Sequence, residues 1–201
     1  MMRLRYYILD RLWIILFYHA TKTSDIRVLK PRVSNHGKPL VYFSTKRENV
    51  LVYLCNAIEK YCNSIRFDYD GIYQKWGSYG FNKDGILQID EYYPNATYDT
   101  YKGEEGYVYS VKYIENYCEQ EDIPYAITSE CEISIDDCEY VPDAYEAMQK
   151  AIANGDIVFR EYANNSPAMI EWIEKTIKAE YENASQHPEY RQFLKAKFSF
   201  L

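Results

Sequence analysis

The feature that most restricts how this chain can fold is a change in the spacing of its apolar residues. Up to about residue 135 they alternate with polar ones or gather in short runs. Gly106-Tyr-Val-Tyr-Ser-Val-Lys-Tyr113 alternates. So does Ala126 to Ile135, with Ile127, Ser129, Cys131 and Ile133 facing one way and Thr128, Glu130, Glu132 and Ser134 the other. Side chains of a strand point to opposite faces in turn, so both runs predict strands. Beyond residue 141 the spacing becomes helical, and Met169, Ile170, Ile173, Ile177 and Tyr181 form one apolar stripe. Strands followed by helices imply an α+β fold with a mostly antiparallel sheet and C-terminal helices.

The remaining elements follow from local signals. The uncharged run from Leu12 to His19 predicts a first strand. Ser24 is placed to cap a short helical turn through Leu29, stopped by Pro31. Asn35-His36-Gly37 has turn chemistry. Leu40 to Ser44 predicts a strand, and Thr45 or Glu48 opens a helix to about Tyr61, with Val50, Leu51, Leu54, Ile58 and Tyr61 at helical spacing. Ile65–Tyr69 and Gly85–Ile89 predict further strands. Pro142 marks a helix start, Asn154-Gly155 its end, and Ile157–Phe159 a short strand. Ser166-Pro167 starts a helix to about Asn183, and a last helix covers roughly His187 to Phe198. At 201 residues the chain suits a single domain over 1–201. A sheet-rich core over 12–140 carries a mainly helical extension over 141–201.

Composition narrows the function classes. Lys and Arg number 23 against 30 Asp and Glu, a net charge of -7, so the chain as a whole repels phosphate backbones and nucleic acid is disfavoured as a partner. Lys30, Arg32, Lys38, Lys46 and Arg47 are the candidates for a local basic patch. The 23 tyrosines suit strands whose faces are half apolar. Cys55, Cys62, Cys118, Cys131 and Cys138 are an odd five with no Cys-x-x-Cys, and Cys55 and Cys62 lie one heptad apart on the expected helix. That pattern indicates reduced, buried thiols and not a disulfide framework or zinc site. His19, His36 and His187 have no metal-ligand spacing, so no metal is expected. Asp136-Asp137 and Glu104-Glu105 lack the spacing of a calcium loop. Arg3 and Arg5 precede the apolar run Leu12 to Phe17, but Asp10 and Arg11 interrupt it and it is too short to span a bilayer. No membrane partner and a cytoplasmic location are therefore expected.

Three segments stand out together: Tyr18-His-Ala-Thr21 at the end of the first strand, Val41-Tyr-Phe-Ser44 with Tyr53 on the helix after it, and the Glu130/Glu132 pair on a late strand. This order resembles the ADP-ribosyltransferase superfamily, in the His-Tyr-Glu branch that includes poly(ADP-ribose) polymerases and RNA 2'-phosphotransferases. That family closes its first strand with His-x-Thr/Ser, opens a helix after Tyr-Phe-Ser/Ala, carries a second tyrosine on that helix and a glutamate on a later strand. The Ser34-Asn-His-Gly-Lys38 stretch is also similar to one in small bacterial members. The resemblance covers about residues 14 to 135.

The resemblance implies a split, mostly antiparallel sheet, with NAD as substrate and ADP-ribosyl transfer to an acceptor that the sequence leaves open. It assigns His19, Ala20, Thr21, Tyr42, Ser44 and Tyr53 to NAD, and His19 with Glu130 to catalysis. Breaking the nicotinamide–ribose bond develops oxocarbenium character. Tyr42 and Tyr53 would hold the ring by stacking, His19 would donate to a ribose hydroxyl, and backbone near Ala20 would hold the carboxamide. A carboxylate would bond the 2'-hydroxyl and stabilise the developing charge. Two departures stand: Ala20 occupies the place of the family's glycine, and Glu132 competes with Glu130. Glu130-Cys-Glu132 also reads as the Glu-x-Glu of arginine-specific transferases, which need an arginine where this chain has His19. Two other functions fit the same residues: a nucleotide or ADP-ribose binding module without turnover, and an interaction protein presenting a tyrosine-rich sheet or its C-terminal helices.

Overall fold

The structure is a computed structural model that describes residues 15–33 and 37–201. The first strands are β1 (Phe17–Thr21), β2 (Val28–Leu29), β3 (Arg32–Val33) and β4 (Pro39–Ser44). A 3₁₀ helix (Glu48–Leu54) and α1 (Ala57–Ser64) follow, then β5 (Tyr79–Phe81), β6 (Leu87–Asp90) and α2 (Ala96–Tyr101). The next run is β7 (Gly106–Val111), β8 (Tyr117–Glu119), β9 (Ala126–Ser129), β10 (Ile133–Ser134) and β11 (Asp137–Val141). The chain closes with α3 (Ala144–Asn154), β12 (Ile157–Arg160), α4 (Pro167–Asn183) and α5 (Pro188–Lys197).

The fold is α+β, as the change of spacing implies. The main sheet runs β11-β7-β1-β4-β9-β8, antiparallel throughout, with β3 added against β4. β2 and β10 make a small separate ladder, and β12-β6-β5 makes a third sheet in which β12 and β6 are parallel. One joint in the main sheet is weak. β1 pairs with β7 from Phe17↔Val111 to Thr21↔Tyr107, and β4 pairs with β9 from Val41↔Ser129 to Ser44↔Ala126. Between β1 and β4 the only paired position among the described residues is Tyr18↔Ser44. Past it the sheet opens.

Alternation sends the main-sheet side chains into two cores. Ala20 and Val108 point toward Leu51 and Leu54 of the 3₁₀ helix, Met148 of α3 and Leu87 and Ile157 of the third sheet. Phe17, Val41, Phe43, Val111 and Ile127 point the other way, where Leu29 and Ile133 of the small ladder cover them. Helices α1, α4 and α5 enclose a third core around Ile58, Cys62, Ile173, Ile177, Phe193 and Leu194. α4 spans the range its stripe predicts. The Ser166 hydroxyl accepts from Met169 N–H at 3.2 Å, with Pro167 in the first turn, and Ile173 and Ile177 are buried. α3 ends as expected on Gly155, whose φ of +82° suits a residue without Cβ. The segment past residue 140 is tied into the sheets as well as the helices, because β12 pairs with β6.

Several expectations need correction. Ser24 to Leu29 is not a helical turn: Asp25 is left-handed (φ +58°) and Val28–Leu29 pairs with β10. The hydroxyl of Tyr109 holds this loop, donating to Thr23 O at 2.9 Å and accepting from Ile26 N–H at 3.2 Å. The single helix expected to Tyr61 is two, because Cys55 is extended (φ -143°, ψ 150°) and the side chain of Asn56 caps a new start through Ile58 N–H at 3.2 Å. Cys55 and Cys62 are thus both buried but share no helix face, while Cys118, Cys131 and Cys138 are exposed. Ile65–Tyr69 is not a strand; Arg66 turns the chain with φ +55°. Ala126 to Ile135 breaks at Glu130–Glu132 into β9 and β10, Thr128 is buried beside Ser129, and Cys131 is exposed. The described part of the first strand begins at Phe17. Arg3, Arg5, Asp10, Arg11, the start of the Leu12–His19 run, and Ser34, Asn35 and His36 lie outside the described residues. No helix among the described residues is long and apolar enough to cross a membrane.

Candidate functional site

The opening between β1 and β4 is a cavity of about 340 Å³, within the range of small-molecule sites. β1 contributes His19, Ala20 and Thr21, and β4 contributes Tyr42, Phe43 and Ser44. The 3₁₀ helix lays Asn49, Val50 and Tyr53 across it, and the β8–β9 connection closes another side with Gln120, Ile123 and Pro124. Lys75 and Phe81 complete the wall with Ala126. The six residues assigned to NAD by resemblance therefore line one cavity.

His19 takes the place of a missing rung. Where backbone pairing between β1 and β4 stops, its Nδ1 lies 2.8 Å from Tyr42 O. A carbonyl only accepts, so Nδ1 carries the proton. Burial lowers the His19 pKa; the bond to Tyr42 O opposes this in part and the nearby Arg32 charge adds to it. The ring is thus neutral at pH 7 and Nε2 is an acceptor. In this state the ring's remaining nitrogen, Nε2, can accept a hydrogen bond but not donate one, which differs from the donor role that the resemblance implies. The imidazole also packs edge-on against Phe43, centroids 5.9 Å apart, which fixes its plane.

The polar groups beside it are oriented too. Ser44 Oγ accepts from Lys46 N–H at 3.1 Å and from Asn49 Nδ2 at 3.4 Å. With those bonds made, its own hydroxyl proton is directed elsewhere. Tyr53 meets Tyr79 edge-to-face, centroids 6.2 Å apart at 90°, and half of it remains exposed. Gln120 Nε2 donates to Thr128 Oγ1 at 3.1 Å, which presents the amide on that side. Ala20 is buried, with its side chain among the core residues behind β1.

Glu130 is not brought to this cavity. It is exposed, in the bend after β9, and makes no hydrogen bond or ion pair among the described residues. Ala126 is the β9 residue at the cavity wall. Four residues of extended chain put Glu130 about 13 Å further along. Glu132 is exposed as well, with its Oε1 3.4 Å from Lys30 Nζ. Among the described residues no lining residue is acidic, and Lys75 is a lining cation, so the described wall is locally positive in an acidic chain. Sequence reading missed Asn49, Lys75, Phe81, Gln120 and Ile123. Asn49 carried a signal, as an amide inside an apolar helical run. The others reach the site from loops and short strands that have no motif.

No protein-family model matches the chain, and neither a curated protein nor a solved structure matches it.

Proposed function

We propose that the cleft between β1 and β4 binds a nicotinamide nucleotide of the NAD type, and that binding is its main task. The observation that carries this reading is the convergence of His19, Ala20, Thr21, Tyr42, Ser44 and Tyr53 on one cavity where the sheet opens. Tyr42 and Tyr53 offer aromatic faces for a flat ring. The Ser44 hydroxyl is set to donate to a carboxamide oxygen, and neutral His19 to accept from a ribose hydroxyl. Lys75, with no acidic neighbour in the described wall, favours the phosphates.

Transfer of ADP-ribose to an acceptor is the second reading, favoured by the same convergence of His19, Tyr42 and Tyr53. It needs a carboxylate at the ribose, and Glu130 stands outside the cavity. The test is calorimetric titration with NAD, paired with thermal shift, on the wild type, His19→Ala and Tyr53→Ala. Saturable binding that raises the melting temperature of the wild type and is at least tenfold weaker in both variants is expected. No response at millimolar NAD overturns the proposal. Nicotinamide release in the same samples, lost in Glu130→Gln with affinity retained, would move the conclusion to the transferase reading.

A further inference from the structure

A second cavity, of about 300 Å³, lies away from the sheet opening, between α2, α3 and the segment that follows β12. Its walls are aromatic: Tyr98 of α2, Tyr145 of α3, Phe159 of β12 and Tyr162 just beyond. Tyr98 and Tyr145 meet at 79° with centroids 5.2 Å apart, so they form two adjoining sides of a box. Two carboxylates, Glu91 and Glu161, line the same space, and no lining residue among those described is cationic.

Glu91 is the telling group. It is 5% exposed, and no ion pair among the described residues engages it. Its Oε1 accepts from Thr97 N–H at 3.0 Å and its Oε2 from Tyr162 N–H at 3.3 Å. Its own N–H donates to Arg160 O at 2.9 Å, and its carbonyl accepts from Asn165 Nδ2 at 2.8 Å. The carboxylate is rigidly held, but two amide bonds do not neutralise a buried negative charge. Elsewhere this protein pairs cations with its tyrosines, as Arg191 over Tyr181 at 4.2 Å and Lys197 over Tyr93 at 5.1 Å. Lys102 lies over Tyr145 at 5.8 Å, but Asp143 and Glu146 already pair with it. No described residue lining the box is cationic, and the one cation over a ring of its wall, Lys102, is already held by two carboxylates.

We propose that this cavity is a binding site for a methylated ammonium group. Such a cation is weakly hydrated, so it gives up water readily to ring faces that attract it. An unmethylated ammonium keeps stronger hydration and lacks the methyl groups that fill the box. Tyr98, Tyr145, Phe159 and Tyr162 contact the methyl groups, and Glu91 with Glu161 supplies the opposite charge.

The test is a titration of the full chain, followed by NMR shifts of its aromatic resonances, with tetramethylammonium and choline. The control is 3,3-dimethylbutanol, which has choline's shape without its charge. Saturation with a dissociation constant of roughly 1 mM is expected, with the uncharged isostere about tenfold weaker or more. Tyr98→Leu, at a half-exposed position, should weaken choline about tenfold, and Glu161→Gln about threefold. Glu91→Gln should weaken it most, but it also removes a capping carboxylate, so the two exposed variants carry the decision. A free small molecule and a methylated lysine share this chemistry, and comparing choline with a trimethyl-lysine peptide distinguishes them, either preference upholding the site. Equal binding of choline and its isostere, no saturation by about 10 mM, or an unchanged affinity in Tyr98→Leu overturns the proposal.

Discussion

Gly106→Ala tests how closely the candidate site is coupled to the packing beneath it. Gly106 opens β7, opposite Val141, and next to it Tyr107 pairs with Thr21. A Cβ built on Gly106 would stand 2.7 Å from Leu54 Cδ2 and 3.0 Å from Thr21 O. The first is closer than a Cβ approaches any atom, and the second is tighter than nearly all such contacts. Leu54 is fully buried at the end of the 3₁₀ helix, so its methyl has little room to retreat. Thr21 O is backbone of β1 at the cavity wall. Overpacking of this kind costs about 1–3 kcal/mol. Replacing glycine returns about 0.4–1 kcal/mol by restricting the unfolded chain, since the backbone here is not left-handed. One of the two contacts is with backbone, which puts the overpacking cost in the upper half of its range, about 2–3 kcal/mol, and the net loss at about 1–2.6 kcal/mol, which lowers the melting temperature by roughly 2–10 °C for a domain of this size. The strain falls on Thr21 and on the helix that carries Tyr53, so the NAD affinity proposed for the cleft should fall with stability. Leu54→Ala alone should cost about 2–5 kcal/mol. The double variant should cost less than the sum, because the alanine at 54 makes room for the new methyl. Thermal and urea unfolding of the four proteins checks this. A Gly106→Ala protein that melts with the wild type, or a strictly additive double variant, refutes the reasoning.

Three further outcomes follow from the structure. His19 has its pKa lowered from 6.5 by burial, so the unfolded chain binds a proton that the folded chain refuses. Stability should fall as pH drops below about 6.5, and His19→Gln should flatten that part of the profile in pH-dependent urea unfolding. Burial raises the Glu104 pKa, but the hydrogen bond and charge of Lys22, with Lys60, outweigh it and leave the group below its ordinary 4.5. Its contribution is present above that value and lost as pH falls, so the wild type should lose stability below about pH 4.5 that Glu104→Gln does not. Ile177→Ala, at a fully buried position among α1, α4 and α5, should cost about 2–5 kcal/mol in urea unfolding while leaving the NAD affinity proposed for the cleft unchanged, because its core is not the one behind the cavity.

Much of this protein is legible in local sequence. The α4 stripe, the Ser166 cap, the Gly155 stop and the alternation of β7 each carry their own signal, and each stands in the structure. Legibility fails where a segment's conformation depends on a distant partner. Val28–Leu29 is a strand only because Ile133–Ser134 lies beside it. Tyr117–Glu119 and Asp137–Val141 are edge strands with exposed faces, and nothing in their own residues alternates clearly. The break at Cys55 and the start at Asn56 were hidden in a run whose helical spacing continues across both.

The candidate site divides in the same way. The identities and order of His19, Tyr42, Ser44 and Tyr53 are written in the chain, and so is the suggestion that they belong together. Their meeting depends on a joint that no local signal encodes: β1 and β4 share one pair and then part, because each is held along its other edge by a longer ladder. The same geometry sets the protonation of His19 and recruits Lys75 and Gln120. It also leaves Glu130 outside, since the strand that carries Ala126 to the cavity runs away from it. Sequence by itself determined elements such as α3, α4 and β7, because spacing and caps act within a few residues. Only the tertiary structure decided which of them face one another, because long-range pairing depends on the whole sheet and not on any one segment.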